Sequence, residues 1–281
     1  MGLFQTNLKQ FQQIFGGVHK PIIGMIHLAA LPSSPNHLLS LDAIISQAKK
    51  ELHSLQSGGV DGVLIENFND SPFFPSSVEP ITIASMSIII KELVSQSSVP
   101  VGVNVLRNAC QEALAIATAT GADFIRCNFY TGAFVADQGI IEGCAPWLKR
   151  LQKRYSEYPN FKSVKIFADV NCKHATPLVS QPLEHSAFDA LERGQADAII
   201  ITGKRTGMAA KVSDLKLLRS KGLQPIILGS GVNQQNIDQL LPYADGAIIG
   251  TALKEDGKVT NLVDKTRVSA LMEKVIQLRK G

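Results

Sequence analysis

The stretch DAIIITG, residues 197–203, is a run of β-branched apolar residues that ends in a threonine and a glycine, and a helix-like stretch follows it. Apolar runs that end in a polar residue or a glycine recur along the chain, at residues 21–27, 61–67, 99–106, 123–129, 165–171, 197–203, 225–231 and 245–251. Strand–helix alternation requires parallel strands, because each helix returns the chain to the starting edge of the sheet. This number of units in 281 residues predicts a closed α/β barrel of the (β/α)8 type.

Composition and length fit one domain. The chain is 45% hydrophobic, and no low-complexity linker or charge block divides it. A barrel of this size is normally a single domain. We expect one domain over residues 1–281, with a helical extension at 1–18 and the barrel at 19–281.

The first residues predict a short amphipathic helix. Its apolar side consists of Leu3, Phe4, Leu8, Phe11, Ile14 and Phe15. This side either plugs the bottom of the barrel or contacts a membrane surface or a partner. The segment lacks the pattern of a secretory signal, and no run reaches the roughly 18 apolar residues of a membrane span. We therefore expect a cytoplasmic protein.

Charge and cysteine content exclude several classes. The net charge of +4 is mild, and no basic stripe with interleaved aromatic residues indicates nucleic-acid binding. The cysteines show no C-x-x-C spacing, so we expect reduced thiols. They are Cys110, Cys127, Cys144 and Cys172. No cofactor is predicted from the sequence.

Polar residues gather where the predicted strands end, and the loops at that end are long. These residues are His27, Glu66, Asn67, Asn104, Arg107, Arg126, Asn128, Asp169, Asn171, Lys173, His174, Thr202 and Lys204. Buried charged groups must pair with each other or face water and a ligand. Because barrel enzymes hold their chemistry at this rim, the set predicts a ligand site with acid–base groups.

Residue type suggests a role for each group. Glu66 and Asp169 are the candidate general acid or base, while His27 and His174 can move protons near neutral pH. Lys173 completes the candidate catalytic set. Arg107, Arg126 and Lys173 can hold an anion. The expected ligand-binding side chains also include Asn67, Asn104, Asn128, Asn171, Thr202 and Lys204.

Three alternatives stay open for the same residues. Glu66 or Asp169 can instead form an internal ion pair with Arg126. A metal held by His27, Glu66, Asp169 and His174 has no compact motif behind it, so no metal is predicted. A Schiff base would use Lys173 or Lys204, although both lie on loops beyond their strands.

The last two predicted strands end in glycine-rich turns. Gly229, Ser230 and Gly231 follow one strand, and Gly250 and Thr251 follow the other. Glycine lets the backbone approach an anion, and these loops are the usual phosphate site of such barrels. The glycines can also serve only for tight turns. The basic loop at 203–207 is a candidate lid over the anion.

Phrases along nearly the whole chain resemble the BtpA/SgcQ family. They are PIIGMIHL with ALPSSP (21–28 and 30–35), GGVDG with ENF (58–62 and 66–68), PVGVNVL (100–106), GADFIR (121–126), TG with DQG (131–132 and 137–139), KIFADV with KHA (165–170 and 173–175), GSG (229–231), ADG (244–246), and Asp264 with RVS (267–269).

This resemblance implies a TIM barrel and two expectations about function. The cyanobacterial branch of the family is linked to biogenesis and stability of photosystem I, at the outer face of thylakoid membranes. The SgcQ-like branch suggests instead an acid–base lyase, isomerase or hydrolase that acts on a phosphorylated sugar or nucleotide-like compound. The expected partners are a small anionic or phosphorylated ligand, a second copy of the chain and, in a photosynthetic host, the thylakoid surface on the cytoplasmic side.

Overall fold

The computed structural model describes residues 3–203 and 208–280, with side chains in the first helix from residue 7 onward. Its α-helices are α1 Leu3–Ile14, α2 Leu41–Ser57, α3 Pro80–Gln96, α4 Cys110–Thr120, α5 Ala145–Ser156, α6 Leu183–Phe188, α7 Val212–Ser220, α8 Ile237–Leu240 and α9 Lys265–Lys280. Its strands are β1 Ile22–His27, β2 Gly62–Glu66, β3 Val101–Asn104, β4 Phe124–Cys127, β5 Ala133–Ala136, β6 Gly139–Glu142, β7 Lys165–Val170, β8 Ala175–Pro177, β9 Ala198–Ile201, β10 Ile226–Leu228 and β11 Gly246–Ile249.

Parallel strands close a barrel in the order β1-β11-β10-β9-β7-β4-β3-β2. The closure is visible at Gly24, which pairs with Val63 of β2 on one side and with Ile249 of β11 on the other. Helices return the chain between successive strands, so the (β/α)8 barrel predicted from the repeated pattern is confirmed.

Local signals explain where several helices begin and end. The Ser40 side chain accepts a hydrogen bond from the Ala43 amide and caps α2. Pro80 occupies the first turn of α3, where its missing N–H costs nothing. Gly121 ends α4 with φ of 88°, a left-handed conformation that favours glycine.

Apolar side chains fill the barrel interior because alternate residues of each strand point inward. The interior cluster includes Ile23, Met25, Leu64, Phe124, Phe167, Ala198, Ile200, Ile227 and Ile248. The Phe124 ring occupies the space beside Gly102, where an added Cβ would lie 2.1 Å from a ring carbon. The core is therefore packed, and a ligand can enter only beyond this layer.

Helix α1 closes the lower end of the barrel. Phe11 and Phe15 are buried in the interior cluster. The Phe11 ring centroid lies 5.6 Å from that of Phe167, and the Phe15 centroid lies 5.9 Å from that of Phe124. The apolar side of the helix thus packs as a plug, the first of the two alternatives, while the predicted contributions of the Leu3 and Phe4 side chains lie outside the described residues.

A small antiparallel sheet lies within two of the long loops at the carboxyl ends of the barrel strands. Strands β5, β6 and β8 pair in the order β6-β5-β8, within the segments that follow β4 and β7. Asp137 and Gln138 form the turn between β5 and β6, and Gly139 has φ of 99°. Polar turn residues between two short apolar runs are a hairpin signal. The long loops after β4 and β7 therefore contain regular secondary structure.

No described helix is both long and apolar enough to span a lipid bilayer.

Candidate functional site

The side chains of one layer converge at the upper end of the barrel. His27, Glu66, Arg126 and Asp169 each follow an interior residue by two positions, and those residues are Met25, Leu64, Phe124 and Phe167. Because side chains alternate along a strand, the four polar residues point into the same interior, one layer nearer the carboxyl ends. The alternation of side chains along the strands therefore brings these four residues together at the rim.

Arg126 and Asp169 form a buried ion pair. Arg126 Nε donates to Asp169 Oδ1 at 3.1 Å, and Arg126 Nη2 donates to Asp169 Oδ2 at 2.9 Å. Asn128 Nδ2 also donates to Oδ2 at 2.9 Å. Burial alone would lower the pKa of Arg126, but the Asp169 carboxylate outweighs it and raises that pKa. Asp169 thus forms the internal ion pair given above as an alternative, and it orients Arg126.

Glu66 is the carboxylate that faces the cavity. Its side chain is almost fully buried, and Asn104 Nδ2 donates a hydrogen bond to Oε2. Within the described residues Glu66 forms no ion pair, and it lines the cavity at the rim beside Arg126 and Lys173. A carboxylate held by one amide keeps acceptor capacity for a substrate proton.

Lys173 reaches the same cavity from the loop after β7. Burial lowers the pKa of its ammonium group, and the nearby Arg126 charge lowers it further, while Glu66 and Asp169 act in the opposite direction. No ion pair of Lys173 occurs in the described part of the chain. Arg107 Nη2 donates to the Lys173 backbone carbonyl and so holds this loop. Lys173 is therefore a cation available to a ligand.

His27 differs from the expected proton shuttle. Its ring stacks on Phe68 with centroids 4.5 Å apart, and its buried Nδ1 has no hydrogen-bond partner among the described residues. Burial, followed by the charges of Lys254 and Lys173, lowers the pKa of His27 to about 3. The imidazole is consequently neutral near pH 7, and its free Nδ1 offers a fixed hydrogen-bonding group rather than a titrating one.

A cavity of about 290 Å³ joins these groups to the two glycine-rich turns. Its lining includes the predicted residues His27, Glu66, Arg126, Lys173, Gly229, Ser230, Gly231, Gly250 and Thr251. Acidic, basic, imidazole and backbone amide groups thus meet in one space at the rim. Such a mixture can orient a polar substrate and transfer its protons.

Packing explains part of the glycine pattern. Gly231 has φ of 68°, and an added Cβ would lie 2.2 Å from the Ala209 amide nitrogen. The Ser230 hydroxyl accepts from the Gly203 amide and donates to the Met208 carbonyl. These contacts fix the turn after β10 against the segment that follows β9. Glycine is therefore required at position 231 by the close approach of these two backbones, whether or not a ligand binds.

Backbone amides in the two turns are available to an anion. Gly231 and Val232 follow β10, and Thr251 and Ala252 begin a 3-10 turn after β11. In the residues that the structure describes, none of these four amides donates a hydrogen bond to a protein acceptor. All four residues line the cavity, and free amides at such positions favour phosphate.

Several predicted site residues support the loops instead of lining this cavity. Asn67 donates to Asp70 and accepts from the Leu106 amide, which ties the loops after β2 and β3. The predicted residues outside the cavity lining are Asn67, Asn104, Arg107, Asn128, Asp169, Asn171, His174 and Thr202. Asn171 and His174 are exposed. Lys204 and most of the candidate lid, at 204–207, lie outside the described residues.

Some residues that line the cavity were not among those predicted from the sequence. Phe68, Asn233 and Arg267 contribute to the cavity, and Arg267 Nε donates to the Ala252 carbonyl at 3.0 Å. Lys254 is buried in an ion pair with Glu51, with Nζ 2.6 Å from Oε1. In the sequence, Arg267 stands out only as part of the family resemblance at 267–269. In the structure it lies beside the turn after β11 and lines the cavity.

The described residues do not assemble the metal site considered from His27, Glu66, Asp169 and His174. The group close enough to share an ion is a cysteine cluster elsewhere in the fold.

Comparison with known proteins places the chain in a family. The model of the BtpA family matches residues 18–277. The chain is 42% identical to Photosystem I biogenesis protein BtpA of Synechocystis, over 97% of this chain and 91% of that protein. It is 44% identical to an uncharacterized protein of Methanocaldococcus jannaschii, over 92% of this chain and 97% of that protein.

A solved structure with a similar fold is (S)-3-O-geranylgeranylglyceryl phosphate synthase of Thermoplasma acidophilum, in complex with its substrate sn-glycerol-1-phosphate. It has a TM-score of 0.58 and 11% identity, and the match covers 96% of this chain and 98% of that one. This likeness concerns the fold alone. The family model and the extent of the identities together show that the chain belongs to the BtpA family.

Proposed function

We propose that this protein binds a small phosphorylated compound at the rim of the barrel and transfers a proton on it. The observation that carries the proposal is the cavity that holds Glu66 and Lys173 together with the turns after β10 and β11. Phosphate would bind the free amides of these turns, and the rest of the compound would face the two side chains.

The charges of the cavity suit a dianion. Asp169 neutralises Arg126, and Glu66 carries a negative charge beside Lys173. Arg267, which forms no ion pair within the described residues, adds a positive charge at the edge near Ala252. A phosphate group on the turns would therefore meet backbone dipoles and the exposed Arg267 guanidinium, with the Lys173 ammonium group in the same cavity, and Glu66 would serve as the proton acceptor.

The available groups favour isomerisation or elimination by general acid–base catalysis. Glu66 would remove a proton, and Lys173, with its lowered pKa, would return one or stabilise a developing oxyanion. His27 Nδ1 would accept a substrate hydroxyl proton as a hydrogen bond. The similarly folded synthase binds sn-glycerol-1-phosphate, which is of the proposed class and size.

A thermal-shift screen tests the proposal. We expect sn-glycerol-1-phosphate, ribose 5-phosphate or inorganic phosphate to raise Tm, and glycerol and ribose to leave it unchanged, because only an anion uses the amides. Ala252→Asp places a carboxylate beside these amides and should weaken binding at least ~10-fold, about 1.4 kcal/mol. Gln239→Asp makes the same charge change on the exposed surface of α8 and should have no effect. Equal shifts in both variants would contradict the assignment.

A second proposal concerns the cell. The 42% identity to Photosystem I biogenesis protein BtpA supports a role in photosystem I biogenesis or stability in a photosynthetic host, where the chain would lie at the thylakoid surface. The test replaces the resident relative with this chain or with its Glu66→Gln variant and measures the photosystem I level. Restoration by both proteins assigns the role to the scaffold, and restoration by the unmodified chain alone assigns it to the rim chemistry. Failure of both removes the cellular role.

A further inference from the structure

Three cysteines that are far apart in sequence meet behind the rim of the barrel. Cys110 Sγ lies 2.7 Å from Cys127 Sγ, and Cys127 Sγ lies 3.2 Å from Cys144 Sγ. The three sulfur atoms all lie within 4.8 Å of one another. Cys110 and Cys127 are buried, and Cys144 is partly buried.

We infer that Cys110, Cys127 and Cys144 form a structural zinc site that links β4 to α4 and α5. Zn²⁺ prefers thiolate ligands in a four-coordinate arrangement. Ligands at about 2.3 Å from the ion lie about 3.8 Å from each other, so the sulfur atoms need to separate by about 1 Å, which small side-chain rotations supply. None of the residues of this site lines the proposed phosphate cavity.

An amide oxygen stands beside the sulfur atoms as a fourth donor. Asn108 Oδ1 lies 3.2 Å from Cys110 Sγ and 3.8 Å from Cys127 Sγ. The same oxygen accepts a hydrogen bond from the Phe129 amide, and Asn108 Nδ2 donates to the Phe129 carbonyl. These two bonds fix the orientation of the amide toward the cysteines. Three sulfur ligands and one oxygen fill four positions with protein atoms, and a structural site differs from a catalytic one in leaving no position open.

Helix termini stabilise the negative charge that such a site carries. Binding forms three Zn–S bonds, and each thiol releases its proton to water, so that three thiolates around Zn²⁺ leave a net charge of about −1. Cys110 is the first residue of α4, and Cys144 is the N-cap residue of α5. The positive ends of both helices therefore face the thiolates and lower the cost of their charge.

The position of Cys127 connects the inferred site to the rim. Cys127 stands between Arg126 and Asn128 in the sequence, and both of these side chains bond to Asp169. Because side chains alternate along a strand, Cys127 points to the helix layer while its neighbours point into the barrel. Zinc would thus fix the outer face of the strand end that carries Arg126.

The experiment measures zinc in protein that is purified under reducing conditions without chelators. We expect about one zinc per chain in the unmodified protein and at least ~10-fold less in Cys110→Ser and Cys144→Ser, because each loses a thiolate. Cys172→Ser is the matched control, since Cys172 is also buried but lies outside the cluster. It should keep its zinc. Circular dichroism verifies that each variant is folded.

Cobalt gives a second readout on the unmodified chain. After removal of zinc, one equivalent of Co²⁺ should produce thiolate-to-cobalt charge-transfer absorption, and one equivalent of Zn²⁺ should abolish it and raise Tm. Several results overturn the inference: unmodified protein with neither zinc nor cobalt absorption, another metal at one equivalent in place of zinc, equal zinc loss in Cys172→Ser, or a disulfide between two cysteines of the cluster under these conditions.

Discussion

Arg126 and Asp169 face each other from the neighbouring strands β4 and β7 and are joined by two parallel hydrogen bonds, with both side chains almost fully buried. Such a pair compensates its own desolvation only while both partners are present. Arg126 and Asn128 thus engage the Asp169 carboxylate, whereas Glu66 and Lys173 line the cavity without an ion pair among the described residues.

Asp169→Asn should destabilise the protein strongly, since it removes the carboxylate that is hydrogen-bonded to the buried Arg126 guanidinium. We expect a loss of about 3–5 kcal/mol in the free energy of unfolding, measured by urea denaturation. Glu157→Gln, which breaks the exposed pair of Glu157 with Lys153, should cost less than about 0.5 kcal/mol. Similar losses in both variants would contradict the role given to the buried pair.

Packing of the lower barrel gives a second prediction. Phe11→Ala should cost about 3–5 kcal/mol, because it empties a site between α1 and Phe167 in the closed interior. Phe161→Ala, at a ring that is 43% exposed, should cost less than about 1 kcal/mol. Urea denaturation of both variants measures these losses in the free energy of unfolding. Equal and small losses would show that α1 does not close the barrel.

The interior also predicts the effect of one added methyl group. Gly102→Ala should destabilise the barrel by about 1–3 kcal/mol, because the new Cβ meets the Phe124 ring. Phe124→Leu in the same chain should recover part of this loss by making room. A double-mutant cycle on the free energy of unfolding measures the coupling, and additive effects would rule out the steric cause.

The sequence was sufficient for the barrel and for nine of the twenty residues that line the cavity. The barrel and the strand residues of the lining both follow from period-two alternation. Residues two positions beyond an apolar inward residue, such as Glu66 and Arg126, must share the interior whatever their partners are. Pairing is different, since it depends on distances between side chains of separate strands. The engagement of Asp169 and the lowered pKa of His27 arise from such distances and from burial, which no spacing encodes.

Contacts between distant segments were equally hidden. Cys110, Cys127 and Cys144 have no metal-binding spacing, and only the fold of α4 and α5 onto β4 brings them together. Lys254 reads as a surface residue of a polar loop, yet it is buried against Glu51. Arg267 lines the cavity only because the beginning of α9 packs beside Ala252. Long-range packing therefore sets the limit of the sequence analysis.

The lowered pKa of His27 predicts a pH-dependent stability. Its folded-state pKa of about 3 lies below the ordinary 6.5, so the unfolded chain takes up a proton that the folded protein refuses. The contribution of neutral His27 is complete above pH ~6.5 and is lost as the pH falls toward ~3, by up to about 1.4 kcal/mol per pH unit.

Replacing His27 isolates this effect. The difference in unfolding free energy between the unmodified protein and His27→Gln, measured between pH 7 and pH 4.5, should change with pH in the direction that penalises the histidine at low pH. His185→Gln, at an exposed histidine, controls for the loss of an imidazole. A difference in unfolding free energy that is constant across this range would mean that the pKa of His27 in the folded protein is not lowered.

Lys173 gives the prediction that bears most directly on the ligand. Burial and the Arg126 charge lower the pKa of its ammonium group, so Lys173 loses its charge at a lower pH than an ordinary lysine does. A phosphate monoester has its second pKa near ~6 and stays a dianion above about pH 7.5. The affinity for sn-glycerol-1-phosphate should therefore fall as the pH rises toward 10, while Lys173→Arg, whose guanidinium stays charged, should show a smaller decline. The affinity near pH 7.5 gives a second comparison. Lys173→Met should bind sn-glycerol-1-phosphate at least ~10-fold more weakly, whereas Lys49→Met, at a partly exposed surface lysine, should bind it normally. Calorimetric titration at several pH values checks these expectations, and equal pH profiles for the unmodified and Lys173→Arg proteins would show that the Lys173 charge does not contribute to binding.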